Sequence, residues 1–229
     1  MAFAAATDEG RPLLTGIRIK KEEGGVVFAA TDGYRLSVAK ANMTLGFDAD
    51  LVVPGRALLE VVKISSEDKS GKEITIAQTE DGQLVFGMGD IEIHTRLIDG
   101  EYPNFEKIIP KSFATRALID REKLLRAVKS AAVFARDNAN IIRFHLENQT
   151  LVVSANTPQV GENTIEVEAK IDGEGGDVAF NSRFLLDFLN NFSEDEVLFE
   201  MTGSLNPGVF KPVSDEDYLH IIMPVRVQA

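Results

Sequence analysis

The chain contains no cysteine, which excludes disulfides, thiolate metal sites and a cysteine nucleophile. It has no tryptophan and only three histidines, so imidazole bases and ligands are scarce. No apolar run approaches the ~20 residues of a membrane-spanning helix. The opening Met1-Ala2-Phe3-Ala4-Ala5-Ala6 has no basic stretch ahead of its short apolar run, so it reads poorly as a secretion signal and a reducing, cytoplasmic setting is expected. Basic side chains are in deficit, 24 against 36 acidic, for a net charge of −12. That sign argues against indiscriminate coating of nucleic acid. It leaves room for positive charge confined to one face. What is present is ordinary globular usage: 44% apolar and 26% charged over 229 residues, enough for one large domain or two small ones.

Strand signals dominate. Gly25–Ala30, Glu73–Ala77, Gln83–Phe86 and Ile91–Leu97 are β-branched or aromatic and separated by turn residues such as Asp81-Gly82 and Gly89-Asp90. The second half has Ile142–Leu146, Thr150–Ser154, Asn163–Ala169 and Glu196–Glu200 in the same style. Several alternate apolar and polar, as in a sheet with one wet face. Helical signals are few. Arg121–Phe134 puts Leu124, Leu125, Val128, Ala131 and Ala132 on one stripe behind the N-cap candidate Asp120. Arg56–Ile64 and Ser182–Phe192 are the others, with Pro54 suited to the first turn of one and Asn181 capping the other.

These last two helices expose a duplication. Asp50–Val62 aligns with Asp177–Leu189: strand, helix start, Arg, Leu-Leu-acid, apolar pair. Upstream, Phe3-Ala4 and Gly16–Ile19 resemble Phe134-Ala135 and Asn140–Phe144; downstream, Tyr102-Pro103 matches Met223-Pro224. Two copies of one β-rich unit are expected, residues 1–112 and 113–229. The second copy opens with a strand and helix, Thr115 to Val133, whereas the first has almost nothing before Phe3, so the first is expected to be truncated at its N-terminus.

Enzyme readings are weak. His94 and His145 lie in alternating strands, where surface or cross-strand roles are usual; His220 stands near the end. His145 and Glu147 share a face, but two ligands make a poor metal site. Gly87-Met88-Gly89 is not followed by a helix, no Gly-x-Ser-x-Gly elbow occurs, and the runs Asp215-Glu216-Asp217 and Glu194-Asp195-Glu196 read as solvated turns.

Four segments resemble the bacterial DNA sliding clamp family, the β subunit of DNA polymerase III. They are Ala30-Thr31-Asp32-Gly33-Tyr34-Arg35-Leu36, Val53-Pro54 with its helix, Leu97–Phe105, and Ile222-Met223-Pro224-Val225-Arg226. Their order and spacing are similar to the middle and third domains of that family over essentially the whole chain. The resemblance implies an α+β fold of tandem clamp domains, with antiparallel sheets outside and two helices per domain lining the inner face, the first domain lacking its opening strand and helix. It implies a non-catalytic subunit of a DNA-directed DNA polymerase holoenzyme, cytoplasmic and nucleoid-associated, with no cofactor, metal or membrane contact. In the family a homodimeric ring surrounds duplex DNA without reading sequence. The polymerase III alpha subunit, the clamp loader, other polymerases and repair proteins dock short linear motifs in a groove between the middle and third domains.

Carried over by motif, the middle-domain side of that groove is Leu14, Thr31, Gly33, Tyr34, Arg35 and Leu36, with Pro103, Lys107 and Ile108. The third-domain side is Asn181, Phe184, Leu205 and Pro207, with Ile221, Met223, Pro224, Val225 and Arg226. Aliphatic and Met side chains offer an adaptable apolar floor, Gly33 allows close approach, and Arg35 and Arg226 suit carbonyls or an acidic ligand group. The bland alternative is that Leu36, Ile221 and Met223 are core. Lys123, Arg126 and Lys129, three apart on one helix, are either a solvated face or a stripe facing DNA, and the resemblance favours the latter. Arg56, Lys63 and Arg183 are weaker candidates, because Glu60 and Asp187 dilute their helices. Val133 and Phe134 match the apolar patch of the family's ring interface. A chain without the family's first domain is expected to be monomeric or weakly self-associating and unable to close a ring. The rival reading is a module that binds partner peptides without encircling DNA.

Overall fold

A computed structural model of the protein describes residues 1–67, 73–157 and 161–227. The chain forms two compact units, Met1–Asn104 and Phe105–Ala229. Residues 105–112, assigned to the first domain on sequence, group with the second unit.

The first unit contains β1 (Gly16–Glu22), β2 (Gly25–Thr31), β3 (Arg35–Ala41), β4 (Asp50–Pro54), α1 (Gly55–Glu67), β5 (Thr75–Gln78), β6 (Gln83–Met88) and β7 (Ile91–Arg96). Strands run antiparallel in the order β4-β1-β2-β3, with a separate β5-β6-β7 sheet. Local chemistry sets the turns. Between β2 and β3 the Asp32 carboxylate accepts from the backbone N–H groups of Tyr34 (2.8 Å) and Arg35 (3.0 Å). Gly33 there takes φ +91°, a region that costs a residue with a Cβ. Pro54 ends β4 rather than opening the helix, which starts at Gly55. Ile19, Val26, Val53, Val61, Leu84, Phe86 and Met88 form the buried cluster of this unit.

The second unit contains β8 (Thr115–Asp120), α2 (Arg121–Ala135), β9 (Ile141–Glu147), β10 (Thr150–Thr157), β11 (Gly161–Gly173), β12 (Gly176–Asn181), α3 (Ser182–Asn191), β13 (Glu196–Met201), β14 (Gly208–Lys211) and β15 (Tyr218–Ile222). The antiparallel order is β12-β9-β10-β11-β8-β13-β14-β15. Asp120 caps α2, accepting from the Lys123 N–H at 2.8 Å, and Asn181 caps α3, accepting from the Arg183 N–H at 2.9 Å. The face α2 buries is Leu124, Ala127, Val128, Ala131 and Ala135. Leu125 and Ala132, expected on that stripe, are half-buried at its margin. Phe144, Phe180, Phe199 and Phe210 form an aromatic cluster, edge-to-face at centroid distances of 5.6–6.0 Å except for Phe199 and Phe210, which stack at 4.8 Å.

The duplication is visible as topology. β1–β4, α1 and β5–β7 repeat as β9–β12, α3 and β13–β15 in the same order. β8 and α2 are the extra pair. β8 lies between β11 and β13 and ties the second unit into one continuous sheet.

Candidate functional site

The second unit carries an open cavity of about 220 Å³ beside the β9–β12 pair. Its walls are Val178 and Ala179 of β12, Leu205, and Val225 and Val227 of the C-terminal tail, with Arg143, Asp177 and Ser204 as polar members. Three local features build it. The tail is held along β12 by the Val225 N–H, which donates to the Ala179 carbonyl at 2.8 Å. Leu205 is presented by a turn closed from the Asn206 N–H to the Gly203 carbonyl at 3.1 Å, and stands 61% exposed. Arg143 faces Ala179 across the ladder, so its side chain flanks the apolar floor. Two register positions along, His145 pairs with Asp177, Nδ1 to Oδ1 at 2.8 Å, with Glu147 at 3.6 Å from the other ring nitrogen. The Asp177 hydrogen bond leads the causes that raise the His145 pKa above its ordinary 6.5. An apolar concavity with one cation and one carboxylate at its edge can hold an aliphatic side chain and orient a polar neighbour.

Of the third-domain residues expected in a groove, Leu205 and Val225 line this cavity. Met223 is 37% exposed and Pro224 half-buried on the same tail, Arg226 is exposed, and Pro207 is half-buried. Ile221 is 1% exposed and sits in the β14–β15 ladder opposite Val209, where it packs as core. Asn181 spends its side-chain oxygen on capping α3, and Phe184 is half-buried on that helix. Sequence reasoning missed Arg143, Asp177, Val178, Ala179, Ser204 and Val227. The pairing of β9 with β12 that gathers four of them joins residues more than thirty positions apart, which no local pattern reports.

In the first unit, Leu14, Thr31 and Leu36 are buried. The Thr31 hydroxyl donates to the Arg35 carbonyl at 2.6 Å and accepts from the Gly33 N–H at 3.0 Å. Arg35 is paired with Asp32 at 3.0 Å, its side chain only 10% exposed, and it stacks at 6.0 Å over the Phe3 ring. Asp32 thus occupies much of the guanidinium that sequence reasoning offered to a ligand. Tyr34 is 58% exposed and Pro103 is exposed. Lys107 and Ile108 are exposed in the short helical turn Glu106–Ile108, in the second unit.

Family models match at both units. The central domain of the DNA polymerase III beta subunit matches residues 1–104, and its C-terminal domain matches residues 106–226. The chain belongs to this family. It is 33% identical over 232 residues to the beta sliding clamp of Synechococcus elongatus, with 99% of this chain and 62% of that protein covered. To the beta sliding clamp of Staphylococcus aureus it is 31% identical, with 98% and 59% covered. Among solved structures, the DNA polymerase sliding clamp from Bacillus subtilis superposes with a TM-score of 0.91 at 29% identity, covering 99% of this chain and 60% of that one. The DNA polymerase III beta subunit of Thermotoga maritima gives 0.91 at 26% identity, with 99% and 61% covered. The chain therefore spans about three fifths of the length of these sliding clamps.

The other surfaces expected from the sequence have mixed surroundings. Lys123 is bound to Glu168 of β11 at 2.9 Å, and Arg126 lies 3.9 Å from Glu122. Lys129 is exposed and makes no ion pair among the described residues. Glu168, invisible in the helix's own sequence, dilutes the expected basic segregation; the contact raises the Lys123 pKa and lowers that of Glu168. Arg56 and Arg183 are exposed on α1 and α3, and Lys63 lies 3.9 Å from Glu60. Val133 is 61% exposed at the end of α2, beside half-buried Phe134. Among the described residues, no cluster of three or more His, Asp or Glu side chains is arranged to hold a metal ion, and no helix is long and apolar enough to cross a membrane.

Proposed function

We propose that the chain serves DNA replication as a sliding-clamp processivity factor, a non-catalytic polymerase subunit. On this reading it docks short linear motifs of the polymerase alpha subunit, the clamp loader and repair proteins. Support comes from the family membership and, as the single structural observation, from the cavity that gathers Leu205 and Val225 with Val178, Ala179 and Val227. Its floor is apolar and open enough for an aliphatic side chain, and Met223, exposed two residues before Val225 on the same tail, is proposed to add an adaptable contact. Lys123, Arg126, Lys129, Arg56, Lys63 and Arg183 are proposed to face duplex DNA. Val133 and Phe134 are proposed to form the subunit interface.

The test is a titration of a fluorescent Gln- and Leu-rich peptide into the full chain. Leu205→Asp and Met223→Asp, both at exposed positions, should each weaken binding by at least about tenfold. Unchanged affinity in both would refute the pocket assignment. Leu36→Asp is a poor probe, because Leu36 is 2% exposed and the change would test folding instead. A second reading, peptide docking without DNA encirclement, draws on the carboxylates already holding Lys123 and Arg126. Repeating the titration with duplex DNA present distinguishes the two, and sedimentation tests the expected monomeric or weakly self-associating state.

A further inference from the structure

Phe210 of β14 and His220 of β15 lie on the sheet face packed against α3, where their rings meet Phe188 at centroid distances of 5.5 and 5.0 Å. Alternation along the strands turns the residues on either side of them to the opposite face. Two rows run across that face. In one, Leu118 stands opposite Leu198, and Leu198 opposite Lys211. In the other, Arg116 stands opposite Glu200, and Glu200 opposite Val209. An open cavity of about 620 Å³ lies over these rows, walled by Ile109, Pro110 and the β14–β15 loop residues Val213, Asp215 and Glu216. The loop is held in place by Glu194, whose carboxylate accepts from the Val213 N–H at 3.2 Å and the Ser214 hydroxyl at 2.6 Å. The cavity lies wholly in the second unit and shares no lining residue with the one beside β12.

Its floor carries a charge arrangement of its own. Glu200 is 7% exposed and accepts from Arg116 Nε at 2.8 Å and from Lys211 Nζ at 2.9 Å. Two cations on one carboxylate leave the floor with one surplus positive charge, in a protein whose net charge is −12. The carboxylate also fixes where both cations point, and the Arg116 guanidinium lies 4.0 Å from the centre of the Phe113 ring. Arg116 Nη1 and the remaining Lys211 protons meet no acceptor among the described residues, and both side chains stay partly open, at 38% and 29% exposure. Donors positioned in advance lose little side-chain entropy when an anion arrives. Asp215 and Glu216 stand exposed on the wall, and neither is ion-paired with these cations among the described residues. An acidic group is therefore drawn to Arg116 and Lys211 and repelled from the loop, which fixes how a ligand lies. The aliphatic floor begins one strand repeat away: Leu118 follows Arg116 by two positions, about 7 Å. That is also the spacing of residues i and i+2 in an extended peptide.

We propose that this cavity is a further ligand site, and that its occupant is an extended peptide segment of a partner protein with an aliphatic side chain two residues from a carboxylate. The carboxylate takes the outward donors of Arg116 and Lys211, and the aliphatic side chain rests on Leu118 and Leu198.

The probe is a fluorescein-labelled peptide, Glu-Thr-Leu-Thr-Val, titrated into the full chain by anisotropy, with Gln-Thr-Leu-Thr-Val as its neutral counterpart. The acidic peptide should bind saturably, at least about tenfold more tightly than the neutral one, and more weakly as salt is raised. Arg116 and Lys211 both hold the buried Glu200, so replacing either would test folding as well as binding. The variants are placed on the exposed loop instead. Val213→Asp should weaken the acidic peptide by at least about tenfold at unchanged Tm, whereas Val213→Lys should not weaken it. Asp215→Asn combined with Glu216→Gln should strengthen it by about threefold. Leu205→Asp, which disrupts the other cavity, should not weaken it. Absence of saturable binding, equal affinity for the two peptides, or equal effects of Val213→Asp and Val213→Lys each overturn the proposal. So does loss of binding in Leu205→Asp, which would place the probe in the other cavity. Displacement of the peptide by an equal concentration of octanoate would make a small aliphatic acid the occupant, and concentration-dependent dimers that Val213→Asp abolishes would make it a second copy; either overturns the proposal as well.

Discussion

Gly208 shows how narrowly the aromatic core of the second unit is fitted. A Cβ added there would come within 2.5 Å of Phe180 Cζ and 2.9 Å of Phe199 Cε2, closer than atoms tolerate. Gly208→Ala should therefore destabilise the protein by about 1–3 kcal/mol through overpacking, and Phe180→Ala by about 3–5 kcal/mol through the void it leaves. Since one ring end causes the first clash, Gly208→Ala combined with Phe180→Ala should cost less than the two single changes together. Urea denaturation of the four proteins checks this; strict additivity would place the strain elsewhere. A second residue-scale prediction concerns His145. Its pKa is raised in the folded state, chiefly by Asp177. Protonation thus favours folding: the stabilisation is present below about 6.5, the unfolded value, and is lost as pH rises through the folded value. The side chain is 44% exposed, so the effect is small. Asp177→Asn should flatten the pH dependence of Tm between about pH 5.5 and 8; an unchanged profile would assign that dependence to other groups.

At the scale of elements, the capped strand-to-helix junction is the recurring device. Asp120 and Asn181 each end a strand and accept from the first helical turn. Asp120→Ala should cost about 1 kcal/mol, read as a shift in denaturation midpoint with unchanged slope, whereas an altered slope would mean that the first turn of α2 frays in the native state. These junctions also explain what was legible in the sequence. Strand, cap and helix are encoded within a dozen consecutive residues, so Asp50–Val62 and Asp177–Leu189 announced the duplication and, with it, the fold. Elements written in few residues were harder. β14 spans Gly208–Lys211, and its glycine looks like a breaker until the phenylalanines it accommodates are known. The buried stripe of α2 includes Ala127 and Ala135 rather than Leu125 and Ala132, because the covering sheet and α3 select the face and alanine carries little hydropathic signal. Contacts set by tertiary packing and strand register, such as Lys123 of α2 with Glu168 of β11 and Ala179 with Arg143 across the β9–β12 ladder, had no local trace at all.

For the molecule as a whole, the governing quantity is a net charge of −12, set against a few cations on α2. Any attraction to duplex DNA must then be weak, independent of sequence and salt-sensitive, which suits a protein proposed to slide. The ion pairs rank the cations. Lys129, exposed and outside any ion pair among the described residues, should matter most; Lys123, held by Glu168, should contribute less than its charge suggests. The consequence is a pair of opposite mutations. Lys129→Ala should weaken DNA binding by the full chain and lower the slope of log affinity against log salt by roughly 1. Glu168→Gln removes a repelling charge and releases the Lys123 ammonium from a strong partner, so it should strengthen binding and steepen that slope. Anisotropy titrations of a labelled duplex at several salt concentrations decide the matter. If Glu168→Gln leaves affinity and slope unchanged while Lys129→Ala lowers both, Lys123 lies off the DNA path and the stripe is shorter than proposed. If neither changes anything, α2 presents a solvated face, and the attraction must come from elsewhere on the protein.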